Sequence, residues 1–134
     1  MSTGIDVQAG VAGWHGFVAD PQPDRLREMI DDAAVFKSPA VHTPQRGREK
    51  VFAYLWAAIQ VLGPTIEYGR QWTAEDSAVL GFTAVVDRLD VEGVDVITWN
   101  EQGRIVDFTV LVRPYKGLGA LIGAMGLQLA SDAS

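Results

Sequence analysis

The chain has 134 residues, 48% of them hydrophobic, which is enough for one domain with an ordinary core. Lys and Arg number 11 against 17 Asp and Glu, a formal charge of −6. With Arg46, Arg48 and Lys50 as the densest basic group, that balance argues against nucleic acid or an anionic membrane as partner. No cysteine is present, which removes disulfides, thiolate metal sites and cysteine nucleophiles.

No run approaches the ~18 apolar residues of a membrane span. The N-terminal MSTGIDVQAG has neither a basic nor an apolar leader region, so the expected compartment is the cytoplasm. The two histidines, His15 and His42, are far apart and form no HExxH-like pair. No metal site and no cofactor are expected.

In chain order, Val7, Val11, Trp14 and Val18 mark one face of a helix over residues 6–19, stopped by Asp20-Pro21. Pro23 suits the first turn of a short second helix that buries Leu26, Met29 and Ile30. Asp31-Asp32 leads into a short strand, Ala34–Ser38, closed by Pro39, and His42, Thr43 and Pro44 lie in a loop. A longer helix begins at Gly47, carries Val51, Leu55, Ile59 and Leu62 on one face, and stops at Gly63-Pro64.

Strands follow. Thr65–Thr73 alternates Ile66, Tyr68, Arg70 and Trp72 against Thr65, Glu67, Gly69 and Gln71, and Ala78–Val86 sets Leu80, Phe82, Ala84 and Val86 on one side. A turn at Asp87-Arg88 leads to a hairpin within Gly93–Pro114, whose tight turn at Asn100-Glu101-Gln102-Gly103 uses the freedom of Gly103 to take a positive φ. Lys116–Ala130 reads as a final helix. Helices first and a largely antiparallel meander afterwards predict an α+β domain spanning residues 1–134, with the helices on one face of a curved sheet and a pocket between the layers.

One residue breaks the hairpin's apolar face. Leu89, Val91, Gly93, Asp95, Ile97 and Trp99 point one way, and Val106, Phe108, Val110 and Val112 face them. Asp95 is the single carboxylate among them. Burial raises the pKa of an unpaired carboxyl, and a neutral carboxyl can donate to a substrate carbonyl or act as a general acid. The alternative is a structural aspartate satisfied by Tyr54 or Trp14. Candidate pocket residues are the aromatics Trp14, Phe36, Tyr54, Phe82, Trp99 and Phe108, with Ile97, Val110 and Val112 from the hairpin. Each of these also suits a plain core position. Ser38 is a candidate polar contact. His42 reads either as a base at the pocket rim or as a surface loop residue, and His15 as a boundary residue.

The opposite hairpin face carries Val94, Val96, Ile105 and Leu111 among Asp107, Thr109 and Arg113, a mixture suited to a homodimer interface. Gly117-Leu-Gly119-Ala-Leu-Ile-Gly123 has the look of a dinucleotide fingerprint without the βα unit that gives such a motif its meaning. Its small residues read as a close helix packing or a lid.

DDAAVFKSP (Asp31–Pro39), GREKVFAYL (Gly47–Leu55) and GVDVITWNEQGRIVDF (Gly93–Phe108) together resemble the nuclear transport factor 2-like superfamily and, within it, the SnoaL-like proteins. The resemblance covers nearly the whole chain and implies a cone: a bent sheet around helices, dimerising through its outer face. Such proteins include ketosteroid isomerases, polyketide cyclases, epoxide hydrolases and plain binding modules, so the fold does not name the activity. By resemblance to the ketosteroid isomerases, Asp95 matches their protonated oxyanion-hole aspartic acid. Their general-base position reads Ser38 here, and their helix tyrosine falls at Gly13 or Trp14. One of the three functional positions is retained. SnoaL-like cyclases, which use one pocket acid without a cofactor, are the nearer pattern. The readings are a cofactor-free isomerase, cyclase or hydrolase acting on a small hydrophobic carbonyl or epoxide compound, a non-catalytic binding module, or a dimerisation module.

Overall fold

The computed structural model describes residues 4–133; Met1–Thr3, the start of the stretch read for a leader, and Ser134 lie outside the described residues. The chain forms helix α1 (Val7–Ala19), helix α2 (Pro23–Met29), strands β1 (Ile30–Lys37) and β2 (Gln45–Arg46), and helix α3 (Arg48–Leu62). Strands β3 (Glu67–Thr73), β4 (Ser77–Val86), β5 (Leu89–Trp99) and β6 (Ile105–Arg113) follow, then helix α4 (Tyr115–Asp132). The six strands make one sheet in the order β2-β1-β6-β5-β4-β3. It is mixed because β1 runs parallel to β6, while every other pair is antiparallel. Among the described residues no helix is long and apolar enough to cross a membrane.

Helix α1 starts where the Asp6 carboxylate accepts the Ala9 N–H at 3.0 Å, a standard N-cap. It buries Val7, Val11, Trp14 and Phe17; Phe17, rather than the expected Val18, closes the stripe. Helix α3 opens after Gly47 at φ 97° and buries Val51, Leu55, Ala57, Ile59 and Leu62.

The first strand begins four residues earlier than its apolar run suggested. Its polar start is held extended from several sides. Asp31 Oδ2 accepts the Ala33 N–H at 2.9 Å, Asn100 donates to Asp31 Oδ1 at 3.0 Å, and Arg48 donates to the Ile30 carbonyl at 2.8 Å while pairing with Asp32. The same Asn100 caps the β5–β6 turn, its Oδ1 accepting the Gln102 and Arg104 N–H groups at 3.0 Å each. Strand β2 is two residues long, too short to show any period, and pairs Arg46 with Val35 and Gln45 with Phe36.

Two irregularities reset which side chains face the helices. Between Tyr68 and Gln71 the register of β3 on β4 slips, so Tyr68 stands opposite Phe82 and Gln71 opposite Leu80. A bulge adds a residue and inverts the alternation beyond it. Tyr68 and Gln71 therefore share the inner side, and Trp72, 53% exposed, lies on the outer one. This corrects the expected alternation of Ile66, Tyr68, Arg70 and Trp72. A second slip between Thr98 and Trp99 sets Ile105 opposite Trp99. Ile105 is fully buried and belongs to the core, not to the outer face where the alternation had put it.

Helices α1, α3 and α4 cover the inner face and share one core with it. At the tip of β5, Trp99 packs against α1 where Gly10 leaves room; a Cβ there would lie 2.5 Å from the indole ring. Helix α4 approaches β5 at Gly117, whose Cβ would lie 2.6 Å from Val91. Of the glycines in that stretch, Gly117 alone makes such a close approach; a Cβ at Gly119 or Gly123 would meet nothing within 4 Å.

Candidate functional site

A cavity of about 180 Å³ opens between the helices and the inner face of β5 and β6. Trp14 of α1, Phe36 of β1 and Phe108 and Val110 of β6 form one wall. Tyr54, Leu55, Ala58, Ile59 and Leu62 of α3 form another, and Leu121, Ile122, Met125 and Leu129 of α4 cover a side. Ser38–Val41 edges the cavity where β1 ends. The polar residues of the wall are few: Ser38, Tyr54, Tyr68 and Asp95.

Asp95 is 5% exposed, and its strand neighbours are Leu80 and Val110. Neither offers charge or a side-chain donor. The Tyr68 hydroxyl donates to Asp95 Oδ2 at 2.7 Å, and the Trp14 indole Nε1–H donates to the same hydroxyl oxygen at 2.9 Å. Trp14 is held in turn by ring contacts with Phe17 at 5.3 Å and Phe108 at 4.9 Å. His15, next along α1, meets Tyr68 edge-on at 4.9 Å, and its Nε2 lies 3.2 Å from Gln71 Oε1.

Burial and the Tyr68 hydrogen bond act on Asp95 in opposite directions. Removing the carboxylate from water raises its pKa, the Tyr68 hydrogen bond lowers it, and burial wins, leaving the group at about 7 against an ordinary value of 3.8. Tyr68 is pushed well above the usual phenol range by burial and by the adjacent Asp95, so it stays neutral and keeps its proton to donate. A carboxyl that titrates near neutrality inside an apolar cavity can serve as a hydrogen-bond donor or general acid when protonated and as a base when ionised.

Of the residues expected at a site, Asp95, Trp14, Phe36, Ser38, Tyr54, Phe108 and Val110 come together in this cavity. Phe82, Ile97, Trp99 and Val112 do not. Ile97 and Trp99 lie at the end of the sheet where α1 closes down on β5, and both are packed into the core. Phe82 fills the space left by Gly93, where a Cβ would lie 2.8 Å from its ring. Phe82 belongs to the core and Val112 packs against it, and neither is among the residues that line the cavity. His42 is exposed, one residue beyond Val41, and is not among the residues that line the cavity. The Ser38 hydroxyl accepts the Ala40 N–H at 2.9 Å, a bond within the loop. Asp95 is satisfied by Tyr68, not by Tyr54 or directly by Trp14. Tyr68 is the member of the site that sequence reasoning missed. A usable signal was its phenol on the same side of its strand as Ile66, but the bulge hid how that side met the hairpin.

Among the described residues no group of three or more His, Asp or Glu is placed to hold a metal ion.

Comparison with known proteins agrees with this architecture. The SnoaL-like domain family matches residues 11–108, and the chain belongs to that family, within the nuclear transport factor 2-like superfamily. The chain is similar to a steroid delta-isomerase from Pseudomonas aeruginosa at 38% identity and a TM-score of 0.88, over 94% of this chain and 93% of that one. It is also similar to an uncharacterised protein of cystatin-like fold from Silicibacter pomeroyi, at 34% identity and a TM-score of 0.84 over 92% and 87% of the two chains. A SnoaL-like polyketide cyclase from Jannaschia shares the fold at 14% identity and a TM-score of 0.63, over 87% and 90%. No curated protein matches the chain.

Proposed function

We propose that this protein is a cofactor-free enzyme of the cytoplasm that acts on a small apolar carbonyl or epoxide compound, with Asp95 as its acid. The observation that carries this is a single buried carboxyl, held by Tyr68 and titrating near neutrality, in the wall of an otherwise apolar cavity. The likeness to a steroid delta-isomerase supports the isomerase branch. One carboxyl also suffices for epoxide opening. The proton of Asp95 passes to the epoxide oxygen as the C–O bond breaks. A hydroxyl of the substrate, or water, attacks the carbon and returns its proton to the carboxylate.

The test uses cyclohex-3-enone, whose conversion to the conjugated enone is followed by ultraviolet absorbance, and 1-methylcyclohexene oxide, whose opening is followed by chromatography. Wild type should convert at least one of them, with the rate falling as pH rises through about 7 and the acid form is lost. Asp95→Asn should be inactive. Lack of turnover by wild type on both compounds overturns the enzymatic reading.

A second reading, a non-catalytic binding module, draws on a different observation. Among the described residues, Asp95 is the one carboxyl of the cavity wall, and the position where a base would stand carries the Ser38 hydroxyl. Binding of 2-decalone without turnover of either test compound would support it. In both readings the protein acts as a homodimer joined through the outer sheet face.

A further inference from the structure

We propose that Tyr68 is a positioning residue. Through a one-way hydrogen-bond chain from Trp14, it confines the exchangeable proton of Asp95 to Oδ1, the oxygen open to the cavity, so that the site takes a ligand with a single acceptor oxygen.

The direction of the chain follows from the chemistry of its members. An indole N–H can only donate, so the Tyr68 oxygen is the acceptor of the 2.9 Å bond from Trp14. The hydroxyl has one hydrogen left to place. Among the described residues the one acceptor it reaches is Asp95 Oδ2, at 2.7 Å. Oδ2 is thus an acceptor in both charge states of the carboxyl. When Asp95 is neutral, its proton belongs on Oδ1.

The position of Oδ1 follows by elimination. No side-chain nitrogen or oxygen of the described residues is both fully buried and without a partner. Asp95 receives its one side-chain hydrogen bond at Oδ2, so Oδ1 is the oxygen that keeps accessible surface. The space that Asp95 lines is the cavity. Because Oδ2 is occupied, the carboxyl cannot grip a ligand with both oxygens, as it would an amidine or a guanidinium. It presents one donor when neutral and one acceptor when ionised, to a ligand whose other atoms meet Phe36, Phe108, Val110 and Leu121. That description fits a ketone, an enone, an epoxide or a cyclic ether with one oxygen at the inner end.

This inference rests on the reading of Asp95 as the working acid, but its test needs no substrate. Protein labelled with ¹³C at the aspartate carboxyls is titrated by NMR as wild type, Tyr68→Phe, Trp14→Phe and Tyr54→Phe. Tyr54 lines the cavity without bonding Asp95. Loss of the phenol removes the bond that favours the carboxylate, so the Asp95 midpoint in Tyr68→Phe should rise by about one pH unit. Trp14→Phe keeps the hydroxyl but ends its polarisation by the indole, and should raise the midpoint by less. Tyr54→Phe should leave it in place. A Tyr68→Phe midpoint that stays put or falls overturns the proposal, as does an equal shift in Tyr54→Phe. Should Tyr68→Phe fail to fold, an unmoved midpoint in Trp14→Phe overturns it instead. In wild type, 2-decalone should shift the Asp95 carboxyl resonance and benzamidine should not; the reverse pattern also overturns it. Absence of turnover with these titrations intact would defeat the enzymatic reading while leaving the proton's position standing.

Discussion

Tyr68 and Asp95 lie 27 residues apart on strands that are not neighbours in the sheet, yet the phenol hydroxyl of one donates to Oδ2 of the other at 2.7 Å. Strand β4 lies between them, and Leu80, the β4 partner of Asp95, also stands opposite Gln71, beyond the β3 bulge. On the inner side of that sheet the row runs from Tyr68 of β3 through Phe82 of β4 to Gly93 of β5, two residues before Asp95.

The ionisation of Asp95 should be visible in stability. Its folded pKa is raised, from 3.8 to about 7. Below pH ~4 both folded and unfolded chains hold the proton and there is no penalty. Between the two values the unfolded chain releases it first, so the penalty grows with pH and levels off above about 7. At about 1.4 kcal/mol per unit, the full cost approaches about 4 kcal/mol. Asp95→Asn keeps the shape, and its carboxamide oxygen can still accept from Tyr68. It should match wild type at pH 4 and exceed it increasingly from pH 5 to pH 8 in chemical denaturation. A variant clearly less stable than wild type at pH 8 would mean that Asp95 is a structural, ionised carboxylate.

Gly93 is where β5 allows its neighbours close. An added Cβ would collide with the Leu111 carbonyl oxygen and lie 2.8 Å from Phe82 Cζ. Gly93→Ala should therefore destabilise the fold by about 1–3 kcal/mol, the usual cost of overpacking. Urea denaturation checks this, and a variant within about 0.5 kcal/mol of wild type would show that Phe82 yields freely.

Phe108 is 1% exposed, lines the cavity, and packs on Trp14 at 4.9 Å and on Phe36 at 6.1 Å. Phe108→Ala should cost about 3–5 kcal/mol and merge the vacated volume with the cavity. An apolar dye should bind the folded variant more tightly than wild type, measured by fluorescence titration at a temperature where both are folded. Equal or weaker dye binding would mean that the wall collapses into the space.

The outer sheet face carries Leu111 at 54% and Trp72 at 53% exposure, beside the half-buried Val94 and Val96. Two such faces set together would bury these side chains. Light scattering at micromolar concentration should give twice the chain mass for wild type and the chain mass for Val96→Arg. A monomeric wild type sinks the dimer.

Much of this was legible in the sequence because the information is local. Helical and strand periods, Asp20-Pro21, Gly63-Pro64 and the Asn100–Gly103 turn define most element boundaries through backbone sterics and capping, which act over a few residues. Asp95 stood out for the same reason: alternation alone sets it on an apolar face. Tertiary structure decided what alternation could not carry across a bulge. The slip after Tyr68 sends Trp72 outward, and the slip at Thr98 sends Ile105 inward, each by one inserted residue. The start of β1 also escaped local reading, since Asp31 and Asp32 are held extended by Asn100 and Arg48 from distant segments. The partner of Asp95 is the furthest of these cases. Which phenol reaches that carboxyl depends on three strands meeting in register, and no local preference of Tyr68 encodes the encounter.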